Sequence, residues 1–296
     1  MYRLRNKEEM MPKGIPNAGF RMTKNRIKNQ MAIAKIANVV PEIESEESED
    51  SIRAKLEERF GALDLMTVSA VSGAIRALVV SGPAGLGKSH GVSKVLDELN
   101  PHHTIVRGYV RPTGLYKTLH EFRHVGSVIV FDDADSIFSD DISLNLLKAA
   151  CDTTKKRKLH WLSETKMEDE DGDRLPRSFE FEGTIIFITN YDFDVMIDRG
   201  SKLAPHFAAL ISRSMYLDMK MKTKLDYLVR IKQVIEQGML RDRKMTKIDE
   251  REIITFIETN SEKMRELSLR MVVKIAALKV SHPAKWQSLA RVVCCK

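Results

Sequence analysis

The stretch that most constrains the fold is GPAGLGKS at residues 82–89. It follows the apolar run AIRALVVS and precedes SHGVSKVLDEL, whose apolar spacing predicts a helix. The stretch satisfies the pattern GxxxxGK[ST], and its position between a strand and a helix is the context that supports such a match. A plain glycine-rich surface turn is the alternative, but it does not explain why spacing, strand and helix coincide.

A loop of this type holds phosphate because glycines let several backbone N–H groups converge on the phosphate oxygens. The N-terminus of the following helix adds a favourable field. We therefore predict that the loop binds ATP, with Lys88 reaching the β- and γ-phosphates and the Ser89 hydroxyl binding Mg²⁺. The predicted nucleotide-binding residues are Gly82, Pro83, Ala84, Gly85, Leu86, Gly87, Lys88, Ser89 and His90.

Continuous apolar strands alternate with helical segments on both sides of this loop, up to SMYLDM. That pattern predicts an α/β fold, in which helices cover both faces of a parallel sheet. From about Lys222 the strands stop, and three amphipathic segments predict a C-terminal all-helical lid. We predict a basic, partly disordered N-terminal segment with an acidic linker over 1–51, a nucleotide-binding domain over 52–220 and the lid over 221–296.

Composition limits the location and the partners of the chain. It is 43% hydrophobic and 30% charged, and it has no apolar run of the roughly 20 residues that a membrane helix needs. The N-terminus MYRLRNKEEM lacks an apolar secretory segment, so we expect a cytoplasmic protein without a membrane partner. The three cysteines, Cys151, Cys294 and Cys295, have no metal-binding spacing and favour a reducing compartment.

The net charge of +7 is uneven along the chain. Residues 1–40 carry nine lysines and arginines against two glutamates, whereas residues 41–51 carry six acids and no base. The remaining body is therefore basic as well, which favours a polyanion such as nucleic acid as a partner. A solvated tail and linker are the alternative interpretation of the N-terminal charges.

Two acids, Asp132 and Asp133, follow the apolar strand SVIVF. In P-loop proteins a carboxylate at this strand end lies beside Mg²⁺, at the carboxyl edge of the sheet. Asp132 is the predicted metal-side residue, directly or through water, and Asp133 is predicted to orient the attacking water. Ordinary loop or cap residues are the alternative. Asp135 is a second candidate for the water-orienting role, although its position favours the start of a helix.

With these two motifs, residues 52–280 resemble the AAA+ ATPases. DDAD, ITNYDFD and SRS are most similar to the small AAA-family ATPases of tailed bacteriophages. The resemblance implies that Asn190, after TIIFIT, is sensor 1, which helps to position the attacking water. It implies that Arg213 is an arginine finger that reaches the nucleotide of a neighbouring subunit. It also implies that Arg270, on a lid helix, is sensor 2, which contacts the γ-phosphate in its own chain.

Each of these assignments has a simpler alternative. Asn190 can be a cap at a strand end, Arg213 an ordinary surface cation and Arg270 a solvated helix residue. Arg199 and Arg230 are weaker candidates for the arginine roles. A planar guanidinium suits the charge that develops on a γ-phosphate, which favours arginine at both places.

The sequence departs from the AAA+ pattern at Asp133. Most members carry glutamate at this position, and aspartate reaches one methylene less far. Slow hydrolysis, a water bridge, closure induced by a partner, or a nucleotide-gated switch with weak turnover all remain compatible with this change.

The segment GYVRPTGLYKTLHEF is one candidate for substrate contact, because AAA+ ring translocases place an aromatic pore loop after the second strand. Its aromatic candidates are Tyr109 and Tyr116, with Arg111 and Lys117 nearby. Aromatic and cationic side chains suit single-stranded nucleic acid or a polypeptide. The alternative places Tyr116 in a helix core and Tyr109 in a strand.

Residues 155–182 are the second candidate, because KRKLHWLS and RSFEFEG alternate like the strands of a β-hairpin. Lys155, Lys156, Arg157, Lys158 and Trp161 form a basic and aromatic patch that suits phosphates and a base. The hairpin tip EDEDGD is acidic and repels DNA, so a protein-directed hairpin is an equal alternative.

Three functional classes follow. The first is a homo-oligomeric AAA+ ATPase, a ring or open ring with nucleotide at its subunit interfaces. It would remodel a nucleic acid or nucleoprotein complex, for example in phage DNA replication. The second is a protein-remodelling chaperone of the same fold. The third is a monomeric P-loop phosphotransferase, which has no need for Arg213 of another subunit.

Overall fold

The structure is a computed structural model that describes residues 47–163, 167–168 and 172–296. The predicted N-terminal segment and most of the acidic linker lie outside the described residues. By its internal contacts the chain divides into Met1–Glu47 and Ser48–Lys296. The elements below all belong to the second unit. Helix α1 spans Glu49–Val71, so it begins inside the predicted linker, where the Ser48 side chain accepts a hydrogen bond from the Ser51 N–H at 3.3 Å.

Strands and helices alternate after α1, as the apolar pattern predicts. The strands of the main sheet are β1 (Ala77–Ser81), β2 (His102–Arg107), β3 (Ser127–Asp132), β6 (Thr184–Thr189) and β7 (Met215–Asp218). The helices between them are α2 (Lys88–Leu99), α3 (Pro112–Glu121), α4 (Asp141–Ala150), α5 (Phe193–Asp198) and α6 (Ala204–Ile211). A short 3₁₀ helix spans Asp135–Phe138, and β4 (Lys158–His160) pairs with β5 (Ser178–Glu180) in a separate antiparallel hairpin.

The five main strands are all parallel, in the order β2-β3-β6-β1-β7. The register pairs Ser81 with Thr189 and Arg107 with Asp132. The residues that follow β1, β3 and β6 therefore emerge side by side at one edge of the sheet. This edge is where ligands bind in open α/β sheets.

Both faces of the sheet are buried. Val79, Ile129 and Phe131 face one core, formed with α3, α4 and α6. Leu78 and Val130 face a second core, formed with α1 and α2. Burial on both faces explains why the strands are continuously apolar, without polar alternation. The predicted α/β class with a parallel sheet covered on both faces is confirmed.

The C-terminal region is helical, also as predicted. Its helices are α7 (Lys224–Glu236), α8 (Lys247–Asn260), α9 (Leu269–Ser281) and α10 (Trp286–Cys294), with a 3₁₀ turn at Arg241–Arg243. Capping boxes start α7 and α8, where Thr223 and Thr246 exchange hydrogen bonds with an aspartate three residues later. These helices have a core of their own, which includes Ile253, Val272 and Trp286.

All three cysteines are free and buried. Among the described residues, no helix combines the length and apolarity that crossing a membrane requires.

Candidate functional site

The loop after β1 has the conformation that a phosphate-binding loop needs. Gly85 and Gly87 have φ values of 76° and 96°, in the left-handed region that favours glycine. A side chain at Gly85 would also collide with Ser268, whose Cβ lies 2.8 Å from the position of an added Cβ. Helix α2 begins at Lys88, immediately after Gly87, so its first N–H groups face the loop.

Lys88 lies at the centre of this loop and is only 5% exposed. Its ammonium donates to the Gly82 carbonyl, to the Pro83 carbonyl at 2.9 Å and to Asn190 Oδ1 at 3.2 Å. Burial lowers the pKa of Lys88 to about 8, although the carboxylates of Asp133 and Asp132 oppose that shift. The site therefore holds a cation whose charge is incompletely compensated by protein groups.

The metal-side candidates meet next to Lys88. Ser89 Oγ donates a hydrogen bond to Asp132 Oδ1 at 2.7 Å, and Asp132 is buried at the end of β3. A hydroxyl and a carboxylate oxygen side by side are the hard donors that Mg²⁺ prefers. Mg²⁺ commonly takes only one or two protein ligands and completes its shell with phosphate and water, so this pair fits the ion. Within the described ranges, no cluster of three or more histidine, cysteine or acidic side chains suits a metal.

Arg107 contacts Asp132, and the sequence did not predict this contact. Its Nε donates to Asp132 Oδ2 at 2.9 Å, so Ser89 and Arg107 occupy one carboxylate oxygen each. The contact follows from the register of β2 and β3, in which Arg107 lies opposite Asp132. The apolar strand pattern predicts that the two strands exist but does not specify their register.

Asp133, Asn190 and Arg270 also come together. Asn190 Nδ2 donates to Asp133 Oδ1 at 2.9 Å, and the Arg270 guanidinium lies 3.8 Å from Asp133 Oδ2. Because Lys88 contacts the amide oxygen of Asn190, these four side chains form one continuous polar chain from the loop to α9. The structure thus brings together all the predicted catalytic residues except Arg213.

The backbone explains why aspartate stands at position 133. Asp133 has a φ of 53°, in the left-handed region, while its N–H donates to the Ile188 carbonyl at 3.0 Å. Aspartate and asparagine are enriched several-fold in this region among residues other than glycine. The departure from glutamate therefore fits the turn that follows β3.

Asp135 has a different role from Asp133. It starts the 3₁₀ helix, and its carboxylate accepts a 2.6 Å hydrogen bond from Thr189 Oγ1. Burial raises the pKa of Asp135, and the charge of Asp133 adds to this shift, while the Thr189 hydrogen bond opposes it. Its contacts support a structural position at the helix start rather than a position beside the phosphate loop.

A cleft of about 860 Å³ runs from the phosphate loop to α1 and the C-terminal helices. Its lining combines apolar side chains, including Phe60, Val234 and Met239, with Lys88, Asp133 and Arg270 near the loop. An apolar end joined to a polar end suits a nucleotide, whose base and phosphates differ in the same way.

Arg230 and Phe60 support this cleft from behind the loop. The guanidinium of Arg230 lies 3.2 Å from the centroid of the Phe60 ring, and its Nε donates to the Leu86 carbonyl at 3.3 Å. Burial lowers the pKa of Arg230 to about 10. Sequence reasoning gave Arg230 only a minor place and missed Phe60, because the contact joins α1 to α7 across 170 residues of chain.

Arg213 does not line this cleft. It lies between α6 and β7, where its guanidinium donates to the Ala209 carbonyl at 2.9 Å and lies 3.8 Å from Asp152. Its side chain is 32% exposed. Arg199, the weaker alternative, is an exposed residue just after α5.

The structure corrects some of the predictions for the two candidate substrate segments. Tyr109 is 78% exposed, but Tyr116 is fully buried and donates to the Pro176 carbonyl, so it is a core residue of α3. The predicted hairpin forms from β4 and β5, and an isolated bridge outside these strands joins Glu168 to Arg174.

Arg157 is not part of an exposed basic patch on this hairpin. Its guanidinium is buried, donates to the Ala150 and Gly183 carbonyls, and lies 5.0 Å from the Phe181 ring centroid. Trp161 packs against Tyr116, with 5.5 Å between the ring centroids. The ring is therefore held against the core rather than presented to a base.

Comparison with known proteins gives the family. A family model, the MTBMA_p00010 P-loop domain, matches residues 22–172, just over half of the chain. The chain belongs to this P-loop family. This P-loop protein is also 36% identical over 252 residues to an uncharacterised 36.7 kDa protein from the nrdC-mobD intergenic region of Enterobacteria phage T4. That match covers 83% of this chain and 77% of the T4 protein. The predicted P-loop family of phage type is confirmed.

Solved structures that resemble this P-loop protein include RuvB, a Holliday junction branch migration motor from Thermotoga maritima. The identity is 13%, the TM-score is 0.45, and the match covers 83% of this chain and 69% of RuvB. NtrX from Brucella abortus, solved in complex with ADP, is 14% identical with a TM-score of 0.45. That match covers 89% of this chain and 59% of NtrX. Similarity at this level does not transfer a substrate.

Proposed function

We propose that this P-loop protein is an AAA+ ATPase that binds ATP with Mg²⁺ and hydrolyses it. The observation that carries the proposal is the continuous chain Lys88–Asn190–Asp133–Arg270, next to the Ser89–Asp132 pair. Phosphoryl transfer to water requires a cation in the phosphate loop, oxygen ligands for Mg²⁺ and a carboxylate that can contact the attacking water. Lys88, the Ser89–Asp132 pair and Asp133 are groups of these three kinds. A loop that only binds nucleotide has no need for the second acid.

Each side chain has a defined task in this proposal. The Lys88 ammonium neutralises phosphate charge, and Ser89 with Asp132 would hold the metal ion, which supplies charge stabilisation to the phosphates. Asn190 fixes one carboxylate oxygen of Asp133, and the other oxygen, 3.8 Å from the Arg270 guanidinium, would accept a hydrogen bond from the attacking water. Arg270 lies close enough to Asp133 to bring its guanidinium to the γ-phosphate.

The proposal extends to assembly as a homo-oligomer, a ring or open ring with nucleotide at its subunit interfaces. Arg213 supports it, because this partly exposed arginine lies outside the cleft of its own chain. A neighbouring subunit that presents Arg213 to the cleft would complete the charge stabilisation of the transition state.

We further propose that the ATP cycle remodels a nucleic acid or nucleoprotein complex in the host cytoplasm, in phage DNA replication. The net charge of +7 and the exposed Tyr109 next to Arg111 support a nucleic acid partner. The relative in phage T4 supports the phage setting.

The experiment that tests this function measures ATPase activity per protein against protein concentration, with and without single-stranded DNA. A specific activity that rises with concentration and rises again with DNA is the expected result, because assembly completes the site and substrate promotes its closure. Activity that rises with unfolded protein and not with DNA would favour a chaperone. A specific activity independent of concentration would contradict hydrolysis at a shared site.

Replacing Asp133 with asparagine is expected to reduce hydrolysis by about 10²-fold or more, because the amide cannot take up a proton from the attacking water. Nucleotide affinity is expected to stay within a few-fold, since asparagine tolerates the left-handed backbone equally well. Single-turnover hydrolysis and nucleotide titration measure the two effects separately.

Asp135→Asn is the matched control, because Asp135 lies two residues away and its amide can still accept the Thr189 hydrogen bond. It is expected to retain most of the hydrolysis rate. Equal losses in both variants would show that the turn after β3, and not the Asp133 carboxylate, limits the reaction.

A further inference from the structure

The positive charge of the folded part is concentrated in the C-terminal helical region. Residues 221–296 carry 17 lysines and arginines against nine acids, whereas residues 52–220 carry 22 against 24. The basic character of the body therefore comes from the helices that cover the nucleotide cleft, and not from the α/β core. A regional surplus of this kind attracts polyanions over distances of about a Debye length.

Several of these cations already have a partner. Arg230 is buried against Phe60, and Arg270 faces Asp133. Lys224, Lys232 and Lys279 pair with glutamates of the same helical region. These five residues do not contribute to a free surface charge, so the remaining cations decide where a polyanion would bind.

Three remaining cations are brought together where two backbone segments run side by side. The Arg265 N–H donates to the Cys294 carbonyl at 2.9 Å, and the Lys296 N–H donates to the Lys263 carbonyl at 2.7 Å. Met264 and Cys295 form the bridge between these contacts, and both side chains are buried. Lys263 and Arg265 flank the buried Met264 in the chain, and both are exposed.

Two more cations border this bridge. Lys274 is exposed on α9, next to Ile275, which packs in the same core as Cys294. Arg291 is exposed one turn before Cys294 on α10. We call the resulting patch the C-terminal basic surface; it consists of Lys263, Arg265, Lys274, Arg291 and Lys296.

No carboxylate in the described part of the chain lies within 4.0 Å of the cationic groups of this surface, whereas Lys224, Lys232 and Lys279 all have one. The nearby Glu262 pairs with Lys224, and the nearby Glu266 accepts a hydrogen bond from Ser268 Oγ. Five exposed cations, none of them within 4.0 Å of a described carboxylate, are groups that can contact the phosphates of a nucleic acid backbone.

We propose that the C-terminal basic surface binds the phosphate backbone of a nucleic acid. This deepens the proposed function and rests on it for its purpose: the surface would hold the strand that the ATP cycle acts on. Lys274 lies four residues after Arg270 on α9, so the helix that bears Arg270 in the cleft also bears a cation of this surface. Backbone contacts of this kind are independent of sequence and weaken with salt.

The test measures binding of a fluorescent 30-nucleotide single-stranded DNA to the full chain, without ATP, at several salt concentrations. The triple variant Lys263→Glu, Arg265→Glu and Lys274→Glu is expected to lose about tenfold or more in affinity at 100 mM salt. The slope of log affinity against log salt is expected to become shallower by about two, because about three phosphate contacts are lost.

The matched control reverses Arg243, Lys244 and Lys247 to glutamate, which changes the net charge equally. These residues lie at the start of α8, about 20 Å from its other end by the length of a 14-residue helix. The control is expected to lose less than about threefold in affinity. A second triple variant with glutamine in place of glutamate, together with thermal unfolding of each variant, separates lost binding from lost folding.

Equal losses in test and control would overturn the proposal, because net charge alone would then explain binding. Unchanged affinity in the test variants would overturn it directly. Stronger competition by poly-glutamate than by DNA of equal charge would replace the nucleic acid with an acidic protein. Since no ATP is present, a failure here leaves hydrolysis intact, whereas failure of the proposed function appears in the ATPase assay.

Discussion

Replacing Lys88 with alanine is expected to reduce ATP hydrolysis by at least about 10²-fold, because the variant loses the one cation at the centre of the phosphate loop. Lys88 is 5% exposed and is surrounded by the Gly82 and Pro83 carbonyls and Asn190. No other side chain of the loop can replace its charge. Steady-state hydrolysis and nucleotide titration measure the loss in rate and in affinity.

Lys285→Ala is a suitable control, because Lys285 is an exposed lysine at the start of α10, outside the residues that line the cleft. It is expected to keep the rate of the unchanged protein. Full turnover and tight binding in Lys88→Ala would remove the phosphate-loop assignment altogether.

The pKa of Lys88 gives an independent test of the same residue. Burial lowers this pKa from 10.5 to about 8, so an increasing fraction of Lys88 is neutral as the pH rises above 8. Bound phosphates favour the charged ammonium, and nucleotide binding should therefore take up protons: about 0.9 at pH 9 and about 0.1 at pH 7. Calorimetry in buffers with different ionisation enthalpies measures this uptake, which should disappear in Lys88→Ala.

The same pKa determines how this lysine affects stability. Between pH 8 and 10.5 the unfolded chain binds more protons at this site than the folded one, so the contribution of Lys88 to the free energy of unfolding rises with pH in that window. Below pH 8 the cost of burying the charge is fully present.

The sheet and the phosphate loop could be predicted from the sequence because both depend on local patterns. Strands β3 and β6 are buried on both faces and read as continuous apolar runs, and the glycines at 85 and 87 occupy backbone conformations that other residues rarely adopt. Asp132 and Asp133 stand at the end of β3 and Asn190 follows β6, and the carboxyl ends of parallel strands meet at one edge of the sheet.

The contacts between elements could not be predicted in the same way. Arg107 meets Asp132 only because β2 and β3 pair in one register, and Arg230 meets Phe60 only because α7 packs on α1. The conformation of Asp133 is also set by its neighbours, through the hydrogen bond from its N–H to the Ile188 carbonyl. The sequence makes Tyr116 a candidate for substrate contact, but the packing of α3 buries its side chain in the core.

A second large loss of ATP hydrolysis is expected on substitution of Arg213. The location of this residue determines how the experiment is designed. Replacing Arg213 with alanine should reduce hydrolysis by about 10³-fold, the lower end of the range for an arginine finger. Nucleotide affinity should change little, because Arg213 lies outside the cleft of its own chain and contacts Ala209 and Asp152 instead. Arg199→Ala, at the weaker candidate position, serves as the control and should retain activity.

Mixing two inactive variants separates a contribution from a neighbouring subunit from one within the same chain. Lys88→Ala subunits lack a working loop but keep Arg213, whereas Arg213→Ala subunits keep the loop. If the finger acts between subunits, mixed assemblies contain interfaces with one intact loop and one intact arginine, and their activity exceeds the sum of the two variants.

The decisive comparison replaces the donor with the double variant Lys88→Ala and Arg213→Ala. This protein can join the assembly but cannot supply the arginine, so mixing it with Arg213→Ala should restore nothing. Recovery with the double variant would mean that assembly alone repairs the site without any Arg213 guanidinium. Recovery only with Lys88→Ala would make the guanidinium of one subunit part of the catalytic site of the next, and hydrolysis would then depend on a formed interface.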